Sequence, residues 1–525
     1  MTDIFAFNRR QMLVGAGFMG LSALYPARLL ATPRFSLYPF TLGVASGDPW
    51  PDSVVLWTRL APEPLAEHGG MEMVAVPVQW EIAEDAAFTK AVQKGEALAR
   101  PELGHSVHVE VQGLKPAREY FYRFFIANGD ATPVARTRTA PAHNSRPDRL
   151  RVALAGCQHY EAGYFTAYRH LSNEDLDCVY MYGDYIYEGA GGRGGGSESG
   201  GSRQIVRNHV GGEIYSLDDY RRRYAQYHLD ADLQAAHHAL PFICAFDDHE
   251  VDNDWADLHE ENGAPAQLFA MRRAMALQAW YENLPVRQAQ IPMEGRVQMY
   301  RRLDFGNLVR MHVTDNRSHR DQQLCDARKK TPCRTADTEA ASVFGARQEA
   351  WLGEGLVNPM RWNMMAQQAM VMPYDLRKEG ASEPWSSSDD WMGYPGARKR
   401  YKAMITDRKL TNVVIACGNS HRHIAAHIPS DDADWTSKPV AVEFMSSSIS
   451  SSGDSDTNWR SDATLRLNPH QMIHEMRRGY TIHDIRQDRW TTTMKAMDHV
   501  GRPGGNVREL AKFVVLPHEA RINRA

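Results

Sequence analysis

Between residues 152 and 421 five short apolar runs each break off into a polar cluster. The run 152–155 ends in Gly156-Cys157, 178–182 in Gly183-Asp184, and 242–246 in Asp247-Asp248-His249. Further on, 308–314 ends in Asp315 and 413–417 in Gly418-Asn419-Ser420-His421. Runs that are apolar throughout, without alternation, predict strands covered on both faces. Helical periodicity over 164–170, 217–227 and 269–281 supplies the cover. The pattern therefore predicts a layered α/β domain. In such sheets ligands gather at the carboxyl ends of the strands, where each of these clusters would sit.

The region before this domain reads differently. Short strands are expected at 54–57, 76–82, 107–111 and 120–126, the last an alternating aromatic strand after a Pro-containing turn at 113–119. A small β-sandwich of fibronectin-like type fits that pattern, and Ala140-Pro141-Ala142-His143-Asn144-Ser145-Arg146-Pro147 reads as a linker. With 525 residues, 43% of them hydrophobic, the chain can bury a large core and carry an accessory domain. The net charge of −4 comes from 60 basic and 64 acidic residues without a long block of one sign. That leaves no electrostatic footprint for nucleic acid or anionic lipid.

Asn8-Arg9-Arg10-Gln11-Met12-Leu13 sets paired arginines directly before an apolar stretch over 12–30. This is the pattern of a twin-arginine export signal, with cleavage expected near Ala31 and the export machinery as a partner. A periplasmic or extracellular location follows, and no later segment reads as membrane-spanning. Of the six cysteines, Cys325 and Cys333 close a short loop that an oxidising compartment would let form a disulfide, and Cys178, Cys244 and Cys417 lie in apolar runs. The glycine-rich stretch 189–201 follows the Gly183-Asp184 cluster directly and is either an active-site loop or a plain flexible insertion.

Asp184 and Tyr187 place a carboxylate and a phenol three residues apart just beyond a strand, where both can turn toward one ion. A carboxylate can also bridge two cations. Residues 247–254 pack four Asp, a Glu, a His and an Asn into eight positions, a density whose self-repulsion cations would offset. Within it Asp248 and Asn253 offer oxygen donors and His249 an imidazole. His421 and His423 follow another strand as imidazole ligands, with His427 the bystander of the three. Asp315-Asn316-Arg317 offers a guanidinium that could grip phosphate or form a structural salt bridge.

Taken in order, Gly-Cys-Gln at 156–158, Gly-Asp-Tyr-Ile-Tyr-Glu at 183–188, Asp-Asp-His-Glu-Val-Asp-Asn at 247–253, Asp-Asn-Arg at 315–317, Asp-Asp-Trp-Met-Gly-Tyr-Pro at 389–395 and Gly-Asn-Ser-His at 418–421 resemble the successive motifs of the PhoD-type alkaline phosphatase/phosphodiesterase family. Residues 43–49 and 54–60 resemble that family's N-terminal domain. The resemblance implies, after the twin-arginine signal peptide over 1–31, a β-sandwich over 32–142 and a calcineurin-like metallophosphoesterase core over 148–525. It implies hydrolysis of phosphomonoesters and often phosphodiesters, at a site combining ferric iron (Fe3+) with calcium (Ca2+). The iron would take thiolate and tyrosinate ligands, which Cys157, Asp184 and Tyr187 match by position. His249 and Arg317 would be the catalytic side chains. Asn419 stands where the family has an aspartate in Gly-Asp-Val-His, and His423 is a candidate to compensate. Other readings are a phospholipase-like diesterase working on lipid, and an exported phosphate- or metal-binding protein without turnover.

Overall fold

The computed structural model describes residues 35–525, except 128, 193–204, 324–338, 357–359, 378–381, 383 and 455–460. The twin-arginine segment, the Cys325–Cys333 loop and most of the glycine-rich stretch thus lie outside the described residues.

The N-terminal part contributes β1 (Val44–Gly47), β2 (Val54–Arg59), β3 (Val76–Ala83), β4 (Ala91–Ala99), β5 (Ser106–Val111), β6 (Glu119–Phe125) and β7 (Ala135–Arg138). It is followed by β8 (Arg149–Ala155), α1 (Thr166–Leu171), β9 (Cys178–Met181), α2 (Leu217–His228), α3 (Ala231–Ala239), β10 (Pro241–Cys244) and α4 (Ala266–Asn283). Next come β11 (Arg301–Phe305), β12 (Val309–Val313), α5 (Gly345–Gly355), β13 (Trp362–Ala366), α6 (Pro395–Thr406), β14 (Val413–Cys417), β15 (His423–Pro429) and β16 (Pro439–Met445). The chain closes with α7 (Ser461–Leu467), β17 (Gln471–Glu475), β18 (Gly479–Arg486), β19 (Trp490–Met497), β20 (Val507–Val515) and β21 (Ile522–Arg524).

Among the described residues these strands form three sheets. Ten strands run in the order β21-β20-β19-β18-β8-β9-β10-β1-β2-β5, seven in the order β11-β12-β13-β14-β16-β15-β17, and four in the order β4-β3-β6-β7. Three of the apolar runs became buried central strands, since every residue of β9, β10 and β14 is buried, and β13, which the sequence did not single out, is buried throughout as well. Val152, Leu154, Trp490 and Phe513 from the ten-stranded sheet join Val309, Trp362, Val414 and Phe444 from the seven-stranded sheet in one interior cluster. Helices α5 and α6 cover the far face of the smaller sheet through Leu352, Ala397 and Tyr401. On the other side, α2 starts from a capping box in which Ser216 and Asp219 bond each other's backbone N–H, and it buries Tyr220, Tyr224 and Tyr227. The result is the layered calcineurin-like α/β architecture, with its two sheets face to face.

The N-terminal sandwich is built as its alternation predicts, with Tyr120, Tyr122 and Phe124 of β6 buried and their neighbours more exposed. Its core joins Val78 and Ile82 to Val54, Leu56 and Val109 across the two layers. Its second layer, however, belongs to the catalytic sheet. β1 pairs in parallel with β10, Ser46 opposite Pro241 and Gly47 opposite Phe242, so β1, β2 and β5 prolong that sheet across the linker.

Two parallel sets position the site. β8, β9 and β10 run parallel in one sheet, and β12, β13, β14 and β16 run parallel in the other. Their carboxyl ends meet: the Cys157 N–H donates to the Gly183 carbonyl (3.0 Å), and the Ile449 N–H, beyond β16, donates to the Gly156 carbonyl (3.0 Å).

Candidate metal centre

At these strand ends the backbone turns sharply enough that six non-glycine residues adopt left-handed conformations. They are Cys157 (φ 51°), Asp184 (φ 54°), Asp254 (φ 53°), Asn419 (φ 68°), His421 (φ 56°) and Ser452 (φ 67°). Each costs about 1–2 kcal/mol for a residue with a Cβ. Such strain concentrates where a side chain must be aimed.

The turns aim donors at two adjoining places. Ligand atoms of Cys157, Asp184 and His421 lie within 4.8 Å of one another, and so do those of Asp184, Asp248 and His249. Asp184 is common to both groups. The Tyr187 hydroxyl joins the first, donating to Asp184 Oδ2 (2.9 Å) and lying 3.4 Å from His421 Nε2. Two carboxylate oxygens here, Asp184 Oδ1 and Asp247 Oδ2, are buried without a hydrogen-bond partner, and Asp248 Oδ1 has only the Arg317 guanidinium, 3.3 Å away. Buried polar atoms are rarely left so. Burial, with Asp248, Asp247 and Glu250 close by, pushes the Asp184 carboxyl well above the ordinary range although His249 opposes it. Burial and then Asp184 push the Cys157 thiol and the Tyr187 phenol up as well. A cation would reverse all three effects and satisfy the orphaned oxygens, so the residues present fit one. Thiol, phenol and imidazole suit a transition metal, and the carboxylate-rich side suits a hard cation.

His249 belongs to the second group and borders the first through Tyr187. Its Nδ1 bonds Glu188 Oε2 at 2.8 Å, its Nε2 is 3.9 Å from Asp248, and its ring centroid stands 4.1 Å from that of Tyr187. Burial opposes protonation, but Glu188, Asp248 and Asp184 outweigh it and hold the imidazolium well above the ordinary histidine range. Glu188 is itself driven down to about 2, since His249 overcomes its burial. The neighbouring Asn253 donates its backbone N–H to Glu188 Oε1 (3.0 Å). On the other side of the Tyr187 ring stands His159, 4.4 Å away between centroids and kept neutral by burial.

Two sequence-based expectations change. Arg317 does not reach out to grip phosphate: it is 0% exposed. Its Nε donates to Asp247 (2.6 Å), Nη1 and Nη2 hold Asp389 in a fork (2.6 and 2.9 Å), and Nη2 is 3.3 Å from Asp248. It has no open face, and four of its five N–H groups are turned toward the acidic residues. His423 does not join its neighbours either. It starts β15 with its ring between the sheets, Nδ1 accepting the Ser447 N–H at 3.3 Å, and belongs to neither donor group. His427 accepts the Ile522 N–H (2.9 Å), remote from the site.

Asn419 has a local reason to be an amide. Its Nδ2 donates to Asp389 Oδ2 (3.2 Å), where a carboxylate would meet a carboxylate. Arg317 and Arg320 hold Asp389 below the usual range despite its burial. The sequence reading passed over Glu188 and Asp389, though both stand in quoted motifs, and over the serine run 446–452. A strand-like run at 440–445 breaking into serines was the available signal for the latter.

Comparison with known proteins identifies the family of this fold. The sequence profile of the PhoD-like phosphatase family matches residues 152–494, and that of the PhoD-like phosphatase N-terminal domain matches 26–141. Alkaline phosphatase D of Bacillus subtilis (strain 168) is 40% identical over 518 residues, covering 97% of this chain and 87% of that protein. A solved structure described as the structure of PhoD superposes with a TM-score of 0.88 at 39% identity, covering 94% of this chain and 93% of the other. By these matches along nearly its whole length the chain belongs to the PhoD-like phosphatase family, and it is a phosphoric ester hydrolase.

Proposed function

We propose that the protein is an exported, metal-dependent alkaline phosphatase/phosphodiesterase that cleaves phosphate esters by attack of water. The observation that carries this reading is the position of Asp184 in both donor groups, with one oxygen bonded to Tyr187 and the other unpartnered. Cys157, Asp184, Tyr187 and His421 would hold one cation, ferric iron by the family resemblance. Asp184 and Asp248, with the amide oxygens of Asn253 and Asn419, would hold calcium. When bound, the cations supply Lewis acidity that acidifies water and draws charge from the phosphoryl oxygens.

The chain's own part falls to His249. Glu188 takes its Nδ1 proton in a hydrogen bond, so Nε2–H is the group left to face the substrate. Held protonated, His249 serves better as an acid than as a ligand, and it gives its Nε2 proton to the departing ester oxygen. Arg317 keeps Asp247 and Asp248 in place without touching substrate. Among the described residues no helix is long and apolar enough to cross a membrane. The export reading rests on Arg9 and Arg10, and cell fractionation tests it.

The central test is Asp184→Asn. Turnover of a phosphomonoester and a phosphodiester should fall by several orders of magnitude, with the far-ultraviolet spectrum of the fold retained. A variant that keeps its turnover would remove Asp184 from the mechanism.

A further inference from the structure

The segment leaving β16 carries six serines in seven positions, 446–452, interrupted only by Ile449. All six are at most 3% exposed. A buried hydroxyl needs a partner, and four of these spend theirs on the walls of the metal centre. Ser448 bonds the Ser451 carbonyl (2.9 Å) and Ser450 the His159 carbonyl (2.9 Å). Ser451 Oγ donates to the Cys157 carbonyl (2.6 Å), accepts the His159 N–H (3.1 Å) and lies 2.6 Å from the Tyr187 hydroxyl. Ser452 Oγ is 3.0 Å from His421 Nδ1.

We infer that Ser452 is a positioning residue that fixes which nitrogen of His421 faces the metal centre. Ser452 does so by accepting the Nδ1 proton of His421. A neutral imidazole has one N–H. With that proton given to Ser452, Nε2 keeps its lone pair on the side of Tyr187. Were the serine the donor, Nε2 would carry the proton and could not ligate. Ligating histidines are commonly oriented through their other nitrogen in this way. The backbone argues the same. Ser452 occupies a left-handed conformation that glycine would adopt freely, and Gly453 beside it does so at φ 63°. A side chain retained at such a position has a use that outweighs its strain.

This inference rests on the reading of His421 as a ligand, and the test separates the two. Co2+ is titrated into the metal-free full chain of wild type, Ser452→Gly and His421→Gln, with binding followed by visible absorption and folding by the melting temperature of the metal-free protein. The expected result is an affinity roughly 10- to 100-fold weaker for Ser452→Gly, with a melting temperature equal to or above that of wild type because the strained turn is relieved. Ser452→Gly with unchanged affinity, while His421→Gln is impaired, overturns the inference alone. So does a Ser452→Gly protein whose metal-free form is less stable or fails to fold, since the hydroxyl would then be structural. If His421→Gln binds as wild type does, or wild type takes up no Co2+, the ligand reading falls and this inference with it.

Discussion

Arg317 shows how one residue identity admits two roles. The triplet Asp315-Asn316-Arg317 at a strand end suggested either a phosphate grip, because a planar guanidinium matches phosphate oxygens, or a structural salt bridge. The same planar fork matches carboxylates equally well, and here it is closed on Asp389 and Asp247. Only the fold brings those three segments together. If Arg317 organises the acids, Arg317→Met should lower stability at neutral pH by about 3–5 kcal/mol, the usual result of leaving buried carboxylates without their cation. Urea unfolding measures that loss. A variant as stable as wild type, impaired only through a raised KM, would return Arg317 to the substrate. The other candidates were more legible. Cys157, Asp184, Tyr187, Asp248, His249 and His421 lie within a few residues of strand ends, so their convergence followed from the sheet. His423 stands apart from them because two more residues along the chain carry it into the next strand, where it is buried.

At the scale of elements, the glycines opening two of the motifs act through one neighbour. Tyr182, between β9 and Asp184, lays its ring under the site and bonds the Ser447 carbonyl through its hydroxyl (3.1 Å). A Cβ on Gly156, after β8, would fall 2.4 Å from that ring, and one on Gly418, after β14, 2.2 Å from it. Strands from both sheets thus close on a single aromatic ring, and neither can carry a side chain at the point of contact. Gly418→Ala should cost about 1–3 kcal/mol as an overpacking defect. Combined with Tyr182→Leu, the loss should fall short of the sum of the two single variants by more than about 0.5 kcal/mol. Strict additivity in that cycle would mean that the glycine is needed for its backbone rather than for the ring. The sequence displayed the apolar runs and the glycines, so the strands and their polar ends were readable. It did not display which runs share a sheet, because the β14–β16 and β1–β10 pairings join segments that nothing local relates.

For the whole molecule, stability depends on the ten- and seven-stranded sheets remaining closed on one another, and His483 of β18 lies in that interface. It is fully buried, with its ring centroid 5.7 Å from that of Phe444 in β16 and 5.1 Å from that of Trp490 in β19. Nδ1 accepts the Trp490 indole N–H at 3.0 Å, so a proton there would break that bond as well as place a charge in the core. Burial drives the folded-state pKa from 6.5 down to about 3. A histidine depressed in the folded state adds stability that is fully present above about pH 6.5 and is lost as the pH falls toward 3, because the unfolded chain takes up the proton first. From pH 7 to pH 5 this one residue should remove about 2 kcal/mol, at up to about 1.4 kcal/mol per pH unit. Removing the bond to Trp490 should leave His483→Leu less stable than wild type at pH 7. The gap between the two proteins, measured by urea unfolding, should then shrink as the pH is lowered to 5, since leucine has no proton to gain. A gap that stays constant from pH 7 to 5 would show that His483 does not link protonation to the closure of the sheets.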